Sequence, residues 1–83
     1  MYNLVIDKYA QKQLGKISPP HFNRIIKAVN ELKKNPRPAG YIKLTGRIGY
    51  RIRIGDYRVI YQIEDKILTV FVIDIGHRKE IYD

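Results

Sequence analysis

The sequence predicts one small α+β domain: an N-terminal strand, an αα-hairpin, then an antiparallel β-meander with the helices packed on one face of the sheet. Three observations point there. Phe22, Ile25, Ile26, Val29 and Leu32 recur at helical spacing. YRIRIGDYRVIYQI, residues 50–63, alternates apolar and polar residues around a Gly-Asp pair, the mark of a hairpin. Helical patterns come first and strand patterns after, so the two kinds of element are segregated along the chain.

Each element has its own justification. Tyr2 to Ile6 reads as a short strand, and Asp7 is placed to cap the helix that follows, where Ala10, Leu14 and Ile17 form the apolar stripe. Ser18-Pro19 reads as a second helix start, Ser as cap and Pro at the first helical position, where its missing N–H is harmless. That helix should end near Asn35, because Pro36 disfavours a helical residue before it. After the loop Pro36–Gly40, strands are expected at about 41–54 with a break near Gly46 to Gly49, then at 57–63 and 67–75. Glu64-Asp65-Lys66 supplies the second hairpin turn. The last strand, ILTVFVIDI, is almost continuously apolar up to Asp74, which places it in the sheet interior with both faces covered.

The central hairpin poses a problem of charge. With Gly55-Asp56 as the turn, Ile54 faces Tyr57, Ile52 faces Val59 and Tyr50 faces Tyr61, a coherent apolar face. The same register sets Arg53 opposite Arg58, with Arg51 on their side. Like charges directly across a ladder are unfavourable, so stability alone gives no reason for the pair. An anion is the expected partner, and guanidinium is the group suited to bidentate contact with phosphate and to stacking on bases.

Composition sharpens this reading. A chain of 83 residues is one domain, 1–83, with room for one modest core, and its 45% hydrophobic content is enough to fold. The formal charge is +8. Residues 37–58 hold six Lys or Arg (Arg37, Lys43, Arg47, Arg51, Arg53, Arg58) against the single Asp56, whereas residues 59–83 are net acidic. A basic stripe on a sheet beside a neutral to acidic end points to a nucleic-acid backbone. Lys8, Lys12, Lys16, Lys27, Lys33 and Lys34 read as a solubilising helix surface. The absence of cysteine excludes thiol catalysis and thiolate metal sites. Two separated histidines without a carboxylate cluster predict no metal, and no cofactor is expected. No leader pattern and no apolar run near the roughly 20 residues of a membrane span is found, so a cytoplasmic protein with no membrane partner is expected.

The combination of NPRPAG, KL.G, YRIRIGDYRVIYQI and a closing IGHR.EIY resembles the RelE/ParE superfamily of toxins from toxin–antitoxin pairs, over the whole chain. It is more similar to the RelE branch, whose members cleave mRNA in the ribosomal A site, than to the ParE branch, which poisons DNA gyrase without cutting RNA. The resemblance implies a RelE-like fold and places Arg51 and Arg53 at the basic pair that binds and orients the RNA backbone. It places Arg58 at the arginine on the scissile phosphate, Arg78 at an arginine after the last strand and Tyr82 at a C-terminal tyrosine. It implies a cognate antitoxin, the ribosome and mRNA as partners, and a toxin–antitoxin heterotetramer. The alternatives are a gyrase poison on the same fold and an RNA-binding module without chemistry.

The residue types fit the implied reaction. RNA can be cut when its own 2′-OH attacks the adjacent phosphate, if the protein aligns the attack, stabilises the added negative charge and moves two protons. Clustered arginines meet the first two needs and serve the third poorly, since Arg stays protonated. The best-known RelE pattern carries lysines at the strand pair, where this chain has Arg51 and Arg53. Proton transfer is therefore assigned first to His77, since imidazole is a group that titrates near neutrality, with Tyr82 as the second candidate; base stacking is assigned to Tyr82. Lys43 and Arg47 are expected to make general contacts to the RNA backbone.

Overall fold

The computed structural model describes residues 1–77. Strand β1 (Asn3–Ile6) leads into helix α1 (Lys8–Leu14), followed by α2 (His21–Glu31), β2 (Ile42–Lys43), β3 (Tyr50–Ile54), β4 (Tyr57–Glu64) and β5 (Thr69–His77). The strands form one mixed sheet in the order β1-β5-β4-β3-β2. β1 runs parallel to β5, and every other pairing is antiparallel. β5 thus lies inside the sheet, as its apolar run requires, with Val70, Val72 and Ile75 fully buried.

The core lies between the helices and one sheet face. Ala10 and Leu14 of α1 and Ile25, Val29 and Leu32 of α2 meet Ile52, Val59, Tyr61, Val70, Val72 and Ile75. Burying each such side chain stabilises the fold by about 1.5–3 kcal/mol. Among the described residues, the opposite face carries a small second cluster, Leu44 and Ile60 with Ile73 against them. Between Ile60 and Tyr61 the β4–β5 register shifts, so that Ile60 faces Asp74 and Tyr61 faces Val72. This bulge changes the side-chain phase by one residue. Val72 and Ile75, three apart, thereby both reach the core.

Element boundaries differ from the sequence expectation where local chemistry outweighs pattern. α2 begins at His21 rather than at Pro19, with Pro20 as its flanking residue. A helical conformation is disfavoured at Pro19 because another proline follows it. Phe22 N–H still donates to Ser18 O at 3.1 Å, closing the entry turn. At the other end α2 stops at Glu31, and Leu32, Lys33 and Lys34 continue through i→i+3 bonds to Val29, Asn30 and Glu31. Asp7 stands at the N-cap of α1 without a side-chain cap bond. Its N–H instead donates to Val72 O and prolongs the β1–β5 ladder by one residue. β5 begins at Thr69, two residues late, because Asp65–Ile67 form a 3₁₀ turn that ends on Leu68 in a left-handed conformation, φ 48°.

Two side chains tie the ends of this frame. β1 stops pairing at Val72, and there Gln13 of α1 takes over the bare edge of β5. Its Oε1 accepts the Ile75 N–H at 2.7 Å, and its Nε2 donates to Asp74 Oδ1 at 2.8 Å. Asp74, the polar residue that interrupts the apolar run, is thus the anchor of α1. Tyr61, fully buried, donates its hydroxyl to Pro36 O at 2.7 Å and holds the loop after α2 against the sheet. Burial pushes that phenol above its ordinary pKa. Tyr61→Phe leaves the Pro36 carbonyl without this donor, and urea unfolding is expected to show a loss of about 1–2 kcal/mol with an unchanged m-value.

Candidate nucleic-acid interface

The β3–β4 hairpin has the register its sequence dictates. Ile54 pairs with Tyr57, Arg53 with Arg58, Ile52 with Val59, Arg51 with Ile60 and Tyr50 with Tyr61. Gly55 supplies the positive φ of the turn, 59°. Gly49, at φ 132°, brings the chain into β3 so closely that a Cβ there would lie 3.0 Å from Tyr61 O. Alternation sends Tyr50, Ile52, Ile54, Tyr57 and Val59 to the helix side. Arg51, Arg53 and Arg58 therefore share the face that, among the described residues, no helix covers.

The three arginines on that face are not equivalent. Arg53 is exposed, Arg58 is half-buried, and Arg51 is 7% exposed. Arg51 is flanked in register by Ile42 on β2 and Ile60 on β4. Its Nε and Nη1 are buried between these apolar neighbours, so most of the guanidinium lies within the sheet surface rather than in front of it. Arg53 and Arg58 thus stand forward on this face, and Arg51 lies beneath them. A further cation, which strand alternation could not reveal, comes from α2: a Cβ on Gly55 would lie 3.9 Å from Arg24 Nη2, so this guanidinium sits at the hairpin tip.

The remaining basic residues of the 37–58 stretch divide between places. Arg47 is exposed in the loop between β2 and β3. Lys43 faces Tyr50 across the β2–β3 ladder, which puts it on the helix side rather than among the arginines. Arg37 is committed to a clamp: its Nη2 lies 3.0 Å from Asp65 Oδ2 and its guanidinium 5.7 Å from the Tyr50 ring centroid. Tyr2 completes the clamp by donating its hydroxyl to Asp65 Oδ1 at 2.6 Å. Hydrogen bonds from Arg37 and then from Tyr2 hold the Asp65 carboxyl below its usual range, and the bond to Asp65 raises the Tyr2 phenol.

His77 ends β5 and pairs with Tyr57. Its ring meets Tyr57 edge-on, centroids 5.6 Å apart, and the other neighbour of Tyr57 is His21 at 5.3 Å. His77 therefore stands on the helix side of the sheet, while its predecessor Gly76 faces Arg58. Sequence proximity grouped His77 with the arginines; alternation at the end of β5 separates them. Arg78 and Tyr82 lie outside the described residues. Among the described residues no group of three or more His, Asp or Glu is arranged to hold a metal ion, and no helix is long and apolar enough to cross a membrane.

A small mixed sheet backed by two helices is the fold that the resemblance to the RelE/ParE toxins implies. A family model described as the ParE toxin of the type II toxin–antitoxin system, parDE, matches residues 4–82, and the chain belongs to this family. Toxin RelG of Mycobacterium tuberculosis (strain ATCC 25618 / H37Rv) is 28% identical over 83 residues, covering 98% of this chain and 95% of that protein. The toxin in the archaeal RelE–RelB complex from Pyrococcus horikoshii OT3 superposes with a TM-score of 0.84 at 30% identity, over 96% of this chain and 98% of that chain. The intact E. coli RelBE toxin–antitoxin complex gives a TM-score of 0.80 at 32% identity, over 93% and 96%. The chain is thus a RelE-like toxin of the type II toxin–antitoxin class.

Two outcomes follow from this electrostatic layout. Arg53→Gln removes one member of the cross-strand pair; it is expected to raise stability by roughly 0.2–1 kcal/mol in urea unfolding while weakening single-stranded RNA binding and flattening its salt dependence. The Asp65 clamp is lost in acid. A carboxyl whose folded pKa is depressed stabilises the fold above its unfolded pKa of about 3.9, and that contribution is lost as pH falls through the folded value. The stability gap between the wild type and Asp65→Asn should therefore be constant near neutrality and close below about pH 4, as thermal unfolding across pH would show.

Proposed function

We propose that this toxin is a ribosome-dependent endoribonuclease that cuts mRNA in the ribosomal A site, restrained by a cognate antitoxin in a heterotetramer. The observation that carries this reading is the Arg53–Arg58 pair set face to face on an uncovered sheet. Like charges directly across a ladder oppose folding, and an anion lying between the two guanidinium groups turns their closeness into a favourable contact. The relatives solved together with RelB antitoxins support a protein partner for the same class of toxin.

In the proposed reaction the 2′-oxygen of one nucleotide attacks the adjacent phosphorus, and the bond from phosphorus to the 5′-oxygen of the next nucleotide breaks. A cyclic phosphate and a 5′-hydroxyl end result. Arg53 and Arg58 hold the phosphate in line and stabilise the charge that builds on its oxygens. Arg51, from its buried position, adds field rather than reach. His77 is the described group whose chemistry suits proton transfer near neutral pH. It meets the arginine face only round the end of β5, so this role requires RNA to bend across that end. Arg78 and Tyr82 are proposed to complete the site as the resemblance implies.

The test is to add partner-free toxin to ribosomes stalled with a defined A-site codon and map message ends by primer extension. Cleavage at that codon is expected. Arg58→Ala should slow it by about 10²–10³, the usual cost of one charge-stabilising donor, and His77→Ala by about 10² or more if it moves a proton. A loss below tenfold for His77→Ala overturns its acid/base role. Intact message at high toxin concentration overturns the nuclease reading. The family match to a ParE toxin favours gyrase inhibition as the second reading. That reading predicts DNA breaks with uncut message.

A further inference from the structure

The helix side of the sheet holds a feature that the arginine face does not use. At the end of β5, between α1 with its following turn and the start of β4, lies a cavity of about 350 Å³. Its lining includes Tyr9, Lys12 and Lys16 from the α1 region, and Tyr57, Gly76 and His77 from the sheet. Sequence reading assigned Lys12 and Lys16 to a solvated helix surface. Both are exposed, as expected, and the fold brings them to one concave site with two tyrosines and an imidazole.

We infer that this cavity is a nucleotide site, on the opposite side of the sheet from the arginines, which takes one nucleoside monophosphate unit with its base against the tyrosines and its phosphate on the two lysines. The volume falls at the lower end of the range for small-ligand sites, about 300–1,000 Å³. Among the described residues, the lining holds Lys12 and Lys16 and no carboxylate, a set suited to an anionic group. Tyr9 is 63% exposed and presents an aromatic surface that the fold itself does not bury. Every base has a π-face, which makes a tyrosine a sequence-tolerant stacking platform.

The site is also held in shape before any ligand arrives. The Tyr57 ring lies between His21 and His77, with centroids at 5.3 and 5.6 Å, which limits its rotation. Gln13, also in the lining, is fixed through Asp74 Oδ1 and the Ile75 N–H. Those two bonds use one of its amide hydrogens and one lone pair. The amide thus retains donor and acceptor capacity for a base edge. An acidic peptide would use the lysines and leave the rings idle; an apolar ligand would do the reverse. A nucleotide uses both.

The test is a ¹H–¹⁵N NMR titration of the full chain with adenosine 5′-monophosphate, uridine 5′-monophosphate, adenosine and inorganic phosphate in separate arms. The monophosphates are expected to shift the amides of Lys12, Lys16, Tyr57, Gly76 and His77 saturably. Adenosine and phosphate alone should bind at least about tenfold more weakly, because each engages half the site. Tyr9→Ala and the double variant Lys12→Gln/Lys16→Gln should each weaken monophosphate binding about tenfold while the rest of the spectrum stays unchanged. A last arm uses a single-stranded tetranucleotide and alone rests on RNA as the partner. Tighter binding there assigns the site to a residue of a strand, and equal binding assigns it to the free nucleotide. Shifts confined to Arg51, Arg53 and Arg58, phosphate matching the monophosphates, or no saturable shift at all would each overturn the proposal. None of these arms requires cleavage, so a failed nuclease assay and a failed pocket are separate results.

Discussion

The Gly55-Asp56 turn sets the β3–β4 register, and with it the division of the whole sheet into two chemically opposed faces. Side-chain direction in a strand has a period of two, so a slip of one residue would carry Ile52 and Val59 into solvent and drive Arg51, Arg53 and Arg58 under the helices. The apolar face thus specifies the arginine face. What the hairpin gains by burying Ile52 and Val59 against α2 and β5 outweighs the repulsion that it accepts between Arg53 and Arg58. The position of the charged surface is set by the core behind it.

The same dependence runs through the polar anchors. Gln13 serves as the continuation of β1 along β5, and without it the parallel pairing would end at a bare strand edge above the core. Tyr61 reaches through the core to the loop after α2, and the Arg37–Asp65–Tyr2 clamp ties that loop to the N-terminus and the 3₁₀ turn. These contacts fix where the helices lie. That placement leaves one face open and creates the cavity on the other.

Much of this was legible in the residues. The period-two pattern gave the hairpin register residue for residue, and the continuous apolar run gave the interior position of β5. The bulge opposite Ile60 was hidden, because Asp74 reads as an interruption in a strand until Gln13 is known to face it. The start of α2 was misplaced because the sequence signal at Ser18-Pro19 ignores the constraint of a second proline. At the site, spacing along the chain put His77 with the arginines, whereas alternation at the end of β5 turns it to the helix side. Arg37 carried no sign that Asp65, far along the chain, would claim it. Long-range pairs of this kind depend on which loops the fold brings together, and no local pattern encodes them.

The shortness of β2 has its own consequence. Among the described residues only Ile42 and Lys43 pair with the outer edge of β3, at Arg51 and Tyr50, which leaves Ile52 to Ile54 without a ladder partner there. An edge of this kind, with an apolar side chain on either side of Arg53, is a template for unwanted strand addition by other copies of the chain. A charged residue in mid-edge, directly across from a second like charge, makes such stacking costly, since each added strand would bring its own arginines into the row. The guanidinium groups that make this face attractive to an anion therefore also act as gatekeepers that keep the protein from polymerising through its own sheet.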